Sequence, residues 1–282
     1  MGAGAADGGD FSVKFWGVRG SIACPGPATV RYGGNTSCLE VRCGGRLLIM
    51  DAGTGLRALG AELCAAGGTM DVDLFLTHTH FDHVNGLPFF VPMFLKQNTF
   101  HLWAGHLAPQ YTLKYVLGEM MLAPLFPVPL EVFQARICYH DFAVGETLAP
   151  RPGIALKTAR LNHPNNATGY RIEFAGKSIC YCTDTEHFPD RLDRNIVELA
   201  RGADILIYDA SYTDEEYPKY KGWGHSTWQA GAKLCDAAGV KTFVIFHHDP
   251  GHDDAFMDRV AEAAAARRPG TVVAREGMIL RP

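Results

Sequence analysis

The chain has 282 residues, with 26 Lys and Arg against 30 Asp and Glu, a net charge of −4 and 47% hydrophobic content. That apolar fraction is enough to bury a large core and excludes a wholly disordered chain. Mild acidity without a basic block argues against a protein built to grip long nucleic acid, and no apolar run is long enough to suggest a membrane span.

Met1 to Asp10 is rich in Gly and Ala and reads as a disordered tail. Residues 11–282 read as a single domain, because the candidate site residues are spread over both halves and a cut would split them. Two Gly-containing segments follow, Phe15-Trp16-Gly17-Val18-Arg19-Gly20-Ser21 and Arg31-Tyr32-Gly33-Gly34-Asn35-Thr36-Ser37-Cys38. Gly33-Gly34-Asn35 is a turn, which serves either as a structural hairpin or as a place where backbone amides, with Asn35, Thr36 and Ser37, approach a phosphate. Lys14, Arg19, Arg31 and Arg57 are the residues from which a local basic groove can form.

Leu47-Leu48-Ile49-Met50 reads as a strand ending in Asp51, with a helix from Leu56 to Cys64. Val72 to Leu76 is a second short buried strand. It runs into Thr77-His78-Thr79-His80-Phe81-Asp82-His83, which packs three imidazoles and a carboxylate into a handful of positions. These are the ligand types that zinc and similar divalent ions prefer, and their number suits two ions. From Gly86 to Pro150, prolines and aromatics interrupt any sustained period, predicting a helix-rich connection beside the site. Within it Phe89, Phe90, Met93 and Phe94 read as core or as a homodimer contact rather than as a surface that stacks a base.

In the second half, His163 lies in Leu161-Asn162-His163-Pro164, and a hairpin of Gly169 to Phe174 and Ser178 to Thr183 leads to Asp184. A helix is predicted from Asp190 to Arg201, then a strand from Ile205 to Tyr208 ending in Asp209. Gly224-His225-Ser226-Thr227 opens a helix that stops at Gly239; Phe243 to Phe246 ends in His247 and His248; a last helix covers Asp253 to Arg267. Open α/β sheets carry their chemistry at the carboxyl ends of strands, so five strands ending in Asp or His point to a common active edge. The eight cysteines sit mostly in apolar elements and read as reduced core thiols, Cys180 and Cys182 sharing one strand face. With no secretory leader pattern, a cytoplasmic protein is expected.

The HxHxDH array with a downstream His, Asp and His resembles the metallo-β-lactamase superfamily, in its phosphodiesterase, ribonuclease Z-like branch, over nearly the whole chain. The two amino-terminal segments are similar to bacterial proteins of that fold described as 3′,5′-cyclic-nucleotide phosphodiesterases. The resemblance implies an α/β fold, the four-layer αββα sandwich. It implies that His78, His80 and His163 hold one divalent ion, that Asp82, His83 and His247 hold a second, and that Asp184 bridges them. Zn2+ comes first, with Mn2+ or Fe2+ as alternatives. His247 is chosen over His248 because it directly follows its strand; His248 is left to face solvent, support the site or touch substrate.

Ribonuclease Z-like enzymes also carry His-Glu-Ala-Thr and His-Ser-Thr segments whose Glu and His form a proton-transfer pair. The corresponding segments here are Tyr208-Asp209-Ala210-Ser211 and Gly224-His225-Ser226-Thr227. The resemblance therefore makes Asp209 and His225 catalytic, with Asp82 orienting the nucleophile as well as binding metal, and Asp51 supporting the ligand loops from behind. Two departures matter: Tyr208 stands where the family has His, and one hairpin fills the interval from His163 to Asp184 where ribonuclease Z has a long arm for transfer RNA. The expected activity is dinuclear metal-dependent hydrolysis of small phosphodiesters, 3′,5′-cyclic nucleotides first. The alternatives are a ribonuclease Z-like or DNA exonuclease acting on a polymer, a lactonase or thioesterase, and a non-enzymatic metal-stabilised scaffold.

Overall fold

The computed structural model describes residues 10–282, so the predicted tail lies, Asp10 apart, outside the described residues. Two mixed seven-stranded sheets face each other. The first half of the chain supplies β1 (Phe11–Gly17), β2 (Cys38–Cys43), β3 (Arg46–Met50), β4 (Asp71–Leu76), β5 (Thr99–Ala104) and β6 (Arg136–Asp141). The second supplies β7 (Thr147–Arg151), β8 (Ile154–Leu161), β9 (Ala167–Phe174), β10 (Lys177–Cys182), β11 (Ile205–Asp209), β12 (Thr242–Phe246) and β13 (Thr271–Val273). A last strand, β14 (Ile279–Leu280), returns to pair with β1, so the orders are β14-β1-β2-β3-β4-β5-β6 and β13-β12-β11-β10-β9-β8-β7.

Helices α1 (Gly55–Ala66), α2 (Phe81–Val84) and α3 (Leu113–Met120) belong to the first half; α4 (Arg194–Leu199), α5 (Trp228–Ala238) and α6 (Asp254–Arg267) belong to the second. The central strands are apolar at consecutive positions because both of their faces are buried. Leu48, Met50, Phe75, Ile179, Tyr181, Ile207, Val244 and Phe246 fill the space between the sheets. Their neighbours Ile49, Leu74 and Leu76 pack with Leu56, Leu59, Leu113 and Leu117 of α1 and α3. Cys180, Cys182, Leu206, Phe243 and Ile245 pack with Ile196, Leu234 and Met257 of α4, α5 and α6. The layers are therefore α, β, β and α, as the resemblance implied. All eight cysteines are free thiols, and Cys180 and Cys182 lie on the helix-covered face together. No helix among the described residues is long and apolar enough to cross a membrane.

Some expectations are corrected. The stretch from Gly86 to Pro150 is not helix-rich: beyond α3 and short 3-10 turns it forms β5, β6 and most of β7. β5 alternates buried and partly exposed residues near a sheet edge, and the surrounding prolines hid that alternation. The helix predicted from Asp190 starts only at Arg194, because the Asp193 carboxylate caps it by accepting from the Asn195 amide. The basic groove does not form: Arg19 is fully buried and donates to the carbonyls of Gly33, Asp249 and His252, Lys14 pairs with Glu62, and Arg31 pairs with Asp258.

One clasp joins the sheets from the side. Arg151 on β7 reaches β4, with Nε 2.5 Å from Asp73 Oδ2 and both terminal nitrogens 2.7 Å from Asp71, while Trp103 Nε1 donates to Asp73 Oδ1 at 3.0 Å. Asp73 is buried, so removing its cation strands a desolvated charge. Arg151→Met should cost about 2 kcal/mol of folding stability, read from the denaturant midpoint, and Asp73→Asn in the same chain should restore part of the loss. An unchanged midpoint in the single variant would show that the clasp contributes nothing.

Candidate metal centre

Parallel pairing of β3 with β4, of β10 with β11 and of β11 with β12 aligns five strand ends at one edge of the sandwich. The chain must turn sharply there. Asp51, Asp184 and His247 each take the left-handed backbone conformation, with φ of 60°, 57° and 63°. Non-glycine residues seldom adopt that region, and when they do the surrounding structure holds them in place. The three bends turn Asp51, Asp184 and His247 toward one another's neighbours at the centre of the edge.

The structure brings together all seven residues expected to hold metal, in two adjoining groups. His78 Nε2, His80 Nδ1 and His163 Nε2 converge, His80 Nδ1 lying 2.9 Å from His78 Nε2 and 3.1 Å from His163 Nε2. His83 Nε2 and His247 Nε2 each lie 3.3 Å from Asp82 Oδ2, and 3.2 and 3.1 Å from Asp184 Oδ1. The other oxygen of Asp184, Oδ2, lies 3.6 Å from His78 Nε2 and 3.7 Å from His163 Nε2. Asp184 thus presents one oxygen to each group, the arrangement of a bridging carboxylate.

Hydrogen bonds behind the rings fix which nitrogen faces inward. His83 Nδ1 bonds Asp51 Oδ2 at 2.8 Å, His163 Nδ1 donates to the Gly224 carbonyl at 2.8 Å, and His247 Nδ1 lies 3.1 Å from Ser211 Oγ. Such partners orient the ring and raise the basicity of the inward nitrogen. His83 Nε2 is buried without a hydrogen-bond partner, a gap that coordination to a divalent ion would fill. Glycine makes room for two of the rings: a Cβ on Gly20 would sit 2.4 Å from the His247 imidazole, and one on Gly224, at φ +87°, would sit 2.4 Å from His163 Nδ1.

The electrostatics fit cations. Asp51, Asp82, Asp184 and Asp209 are all buried, and among the described residues no Lys or Arg pairs with any of them. Buried carboxylates need compensating positive charge. Burial holds His78, His80 and His163 below the usual histidine range, leaving neutral imidazoles that are ready ligands. Burial also opposes charge on His83, but Asp184, Asp82 and Asp51 outweigh it and hold the ring protonated well above that range.

His225 and Asp209 also meet. His225 Nδ1 is 2.8 Å from Asp209 Oδ2, and the carboxylate is held by the amides of Thr185 and Ser211 and by Ser211 Oγ. Burial disfavours the imidazolium, yet Asp209 raises the pKa of His225 to about 9. The ring lines a cleft of about 360 Å³ with Ser21, Thr79, His80, Phe81, Asp82 and Asp184.

His248 does not face solvent or the cleft. It is fully buried, with Nε2 bonded to the Ala274 carbonyl at 2.8 Å, because its backbone pairs with Arg19 and turns the side chain the other way from His247. Asn35 binds the Glu276 carboxylate through both its amides, and the Thr36 amide donates to Thr54 Oγ1, so this turn is structural. Several supporting residues escaped sequence reasoning. The Ser21 amide donates to Asp82 Oδ2 at 2.8 Å, Tyr181 donates to Asp51, and Ser211 links Asp209 to His247. Ser21 and Ser211 lie in segments whose motif was visible, but a hydroxyl or amide in a loop carries no spacing signal of its own.

Because the atoms nearest a Cβ on Gly20 all belong to the His247 ring, Gly20→Ala should displace that ring and weaken the group of Asp82, His83, Asp184 and His247. Elemental analysis of the metal-reconstituted variant should show less metal than the parent protein, with unchanged far-ultraviolet circular dichroism. Full metal content would mean that the ring adapts and the contact is unimportant.

A family model described as a beta-lactamase superfamily domain matches residues 46–248. Ribonuclease Z of Haloarcula marismortui is 22% identical over 94% of this chain and 95% of its own. Ribonuclease Z of Parabacteroides distasonis is 28% identical over 59% of this chain, and the match spans about half of that relative, 47%. Among solved structures, the metallo-beta-lactamase fold protein YhfI from Bacillus subtilis superimposes with a TM-score of 0.71 at 16% identity, covering 96% of this chain and 99% of that one. The two facing sheets with their helical layers, the His and Asp cluster at the strand ends and the family match lead to one conclusion: the chain belongs to the metallo-β-lactamase superfamily and is a hydrolase of that family.

Proposed function

We propose that residues 11–282 act as one hydrolase domain that cleaves small phosphodiesters with two divalent ions, 3′,5′-cyclic nucleotides being the leading substrate class. The observation that carries this reading is the meeting of two His and Asp groups, with Asp184 facing both, beside His225, whose Nδ1 bonds Asp209. His78, His80 and His163 would hold one ion, and Asp82, His83 and His247 the other; Zn2+ suits this donor set, as would Mn2+ or Fe2+. When bound, such ions activate water and neutralise charge on phosphoryl oxygens.

The chain's own residues divide the remaining work. Asp82, fixed by the Ser21 amide, orients the attacking oxygen from the cleft wall. His225 donates its proton to the departing ribose oxygen, and Asp209 keeps the ring charged and correctly turned for that donation. Asp51, bonded to His83 and Thr77, holds the ligand loops.

Ribonuclease Z relatives support phosphodiester chemistry, and they also motivate the polymer reading. Favouring a small substrate, β9 and β10 occupy the interval between His163 and Asp184 as a plain hairpin, and no Lys or Arg lines the cleft. Three of the four cations that could have formed a groove are engaged elsewhere.

Turnover should fall as pH rises through the pKa of His225, because only the protonated ring donates. Asp209→Asn removes the carboxylate that raises this pKa, so the alkaline limb of the kcat profile should move to lower pH. His225→Ala should lose about 10²–10⁴ in kcat on a ribose-leaving substrate and much less on a p-nitrophenyl ester, which departs without protonation. Equal impairment on both substrates would replace the acid role with a binding role.

Substrate size is tested by kcat/KM for 3′,5′-cyclic AMP and for a transfer RNA precursor at low and high salt. The expected result is preference for the cyclic nucleotide with a shallow salt dependence, since few phosphates are engaged. Efficient cleavage of the precursor with cyclic AMP untouched would move the protein to the ribonuclease Z reading.

A further inference from the structure

The cleft wall contains one residue that the chemistry above leaves without a task. Phe81 sits between two residues of the cluster, His80 and Asp82, and its side chain is 72% exposed although it lines the cleft. A large apolar ring gains nothing in folding from that position, and the core beneath α2 is closed by Val84 and Leu87 instead. Its placement is nevertheless fixed. The Phe81 carbonyl accepts from the Asn85 amide at 2.8 Å, the His80 carbonyl accepts from the His83 amide at 3.0 Å, and both flanking side chains are engaged in the cluster.

Other exposed apolar residues adjoin the same site. Ile22 is 62% exposed and follows Ser21, which lines the cleft; Trp223 is 62% exposed and precedes Gly224, whose carbonyl holds His163. Beside Trp223 the aromatic rings continue inward. Tyr220 lies 5.4 Å from it, Tyr212 stacks on Tyr220 at 4.3 Å, and His225 lies 6.2 Å from Tyr212. The lining of the cleft itself thus holds one exposed apolar ring, that of Phe81, and no Lys or Arg.

We propose that Phe81 is the stacking platform for an aromatic group carried by the substrate, a nucleobase, so that the cluster binds the phosphate while the ring selects what is attached to it. This deepens the phosphodiesterase reading and rests on it for the identity of the reaction. A π-face is sequence-tolerant, so the platform would accept purine and pyrimidine bases alike. Phe89, Phe90, Met93 and Phe94 cannot serve in this way as a group, because Phe90 and Met93 are buried in the core.

The test compares the metal-loaded protein with Phe81→Ala, Phe81→Leu and Phe81→Trp. Calorimetry measures binding of adenosine monophosphate and of inorganic phosphate, and kinetics measure kcat/KM for 3′,5′-cyclic AMP and for the base-free ribose 3′,5′-cyclic phosphate. Stacking on one aromatic side chain is worth roughly tenfold or more in affinity. The Ala and Leu variants should therefore lower the ratio of nucleotide to phosphate affinity, and the ratio of base-bearing to base-free kcat/KM, by about that factor, while Trp should retain both ratios. Leu keeps an apolar side chain without a π-face, so full retention by Leu would overturn stacking. Unchanged ratios in Ala would overturn the platform altogether. If the parent protein hydrolysed neither cyclic phosphate, the phosphodiesterase reading would fall, and the two binding measurements would still decide the role of Phe81.

Discussion

The fully buried carboxylate of Asp51 is the point on which the site's geometry depends. It accepts from the Thr77 amide at the end of β4, from Thr77 Oγ1, from His83 Nδ1 on α2 and from the Tyr181 hydroxyl on β10. Three elements from both sheets therefore meet on one residue that is not itself among the groups able to hold an ion. Its left-handed backbone is what turns the carboxylate inward at the end of β3. A desolvated carboxylate accepting several hydrogen bonds holds its partners more firmly than any one of those bonds would alone.

The same logic recurs around the edge. Asp209 ends β11 and fixes Thr185, Ser211 and His225, and Ser211 passes the constraint to His247 after β12. Glu186 accepts from the Gly222 and Gly224 amides and from the Tyr217 hydroxyl, which secures the loop that carries His225 and backs His163. His83, His163, His225 and His247 are thus each positioned by a partner on a different segment, and the negative charge gathered there is the counterpart of the ions it can hold.

Concentrating charge at one end is possible because the rest of the sandwich is so apolar. The central strands are buried on both faces, and their backbone groups pair within the sheets, so polar side chains are needed only where strands stop. The two His and Asp groups share Asp184 because its strand, β10, pairs in parallel with β11 and ends beside the loop that leaves β4. The architecture places the groups in contact without any long loop reaching across.

Much of this was legible in the sequence, and for a physical reason. The clustered His and Asp residues stand on or just after short apolar runs, so His78, His80, Asp82, His83, Asp184, Asp209 and His247 announce themselves by position, and a double-sided buried strand leaves an unbroken hydrophobic signature. His225 and His163 were visible only through the motifs around them. The sequence could not tell whether Gly33-Gly34-Asn35 would face a phosphate, and it left His248 without a place. It also suggested a basic groove from Lys14, Arg19, Arg31 and Arg57. Those outcomes depend on long-range partners, Glu276 for Asn35, Ala274 for His248 and Asp258 for Arg31, all far away in the chain. The strands between Gly86 and Pro150 stayed hidden because half-buried strands at or next to a sheet edge owe their form to a neighbour's hydrogen bonds more than to their own pattern. Sequence alone thus determined which chemical groups stand at the strand ends. Only the tertiary structure decided which of them face each other, because that depends on strand order and on backbone bends that no local pattern records.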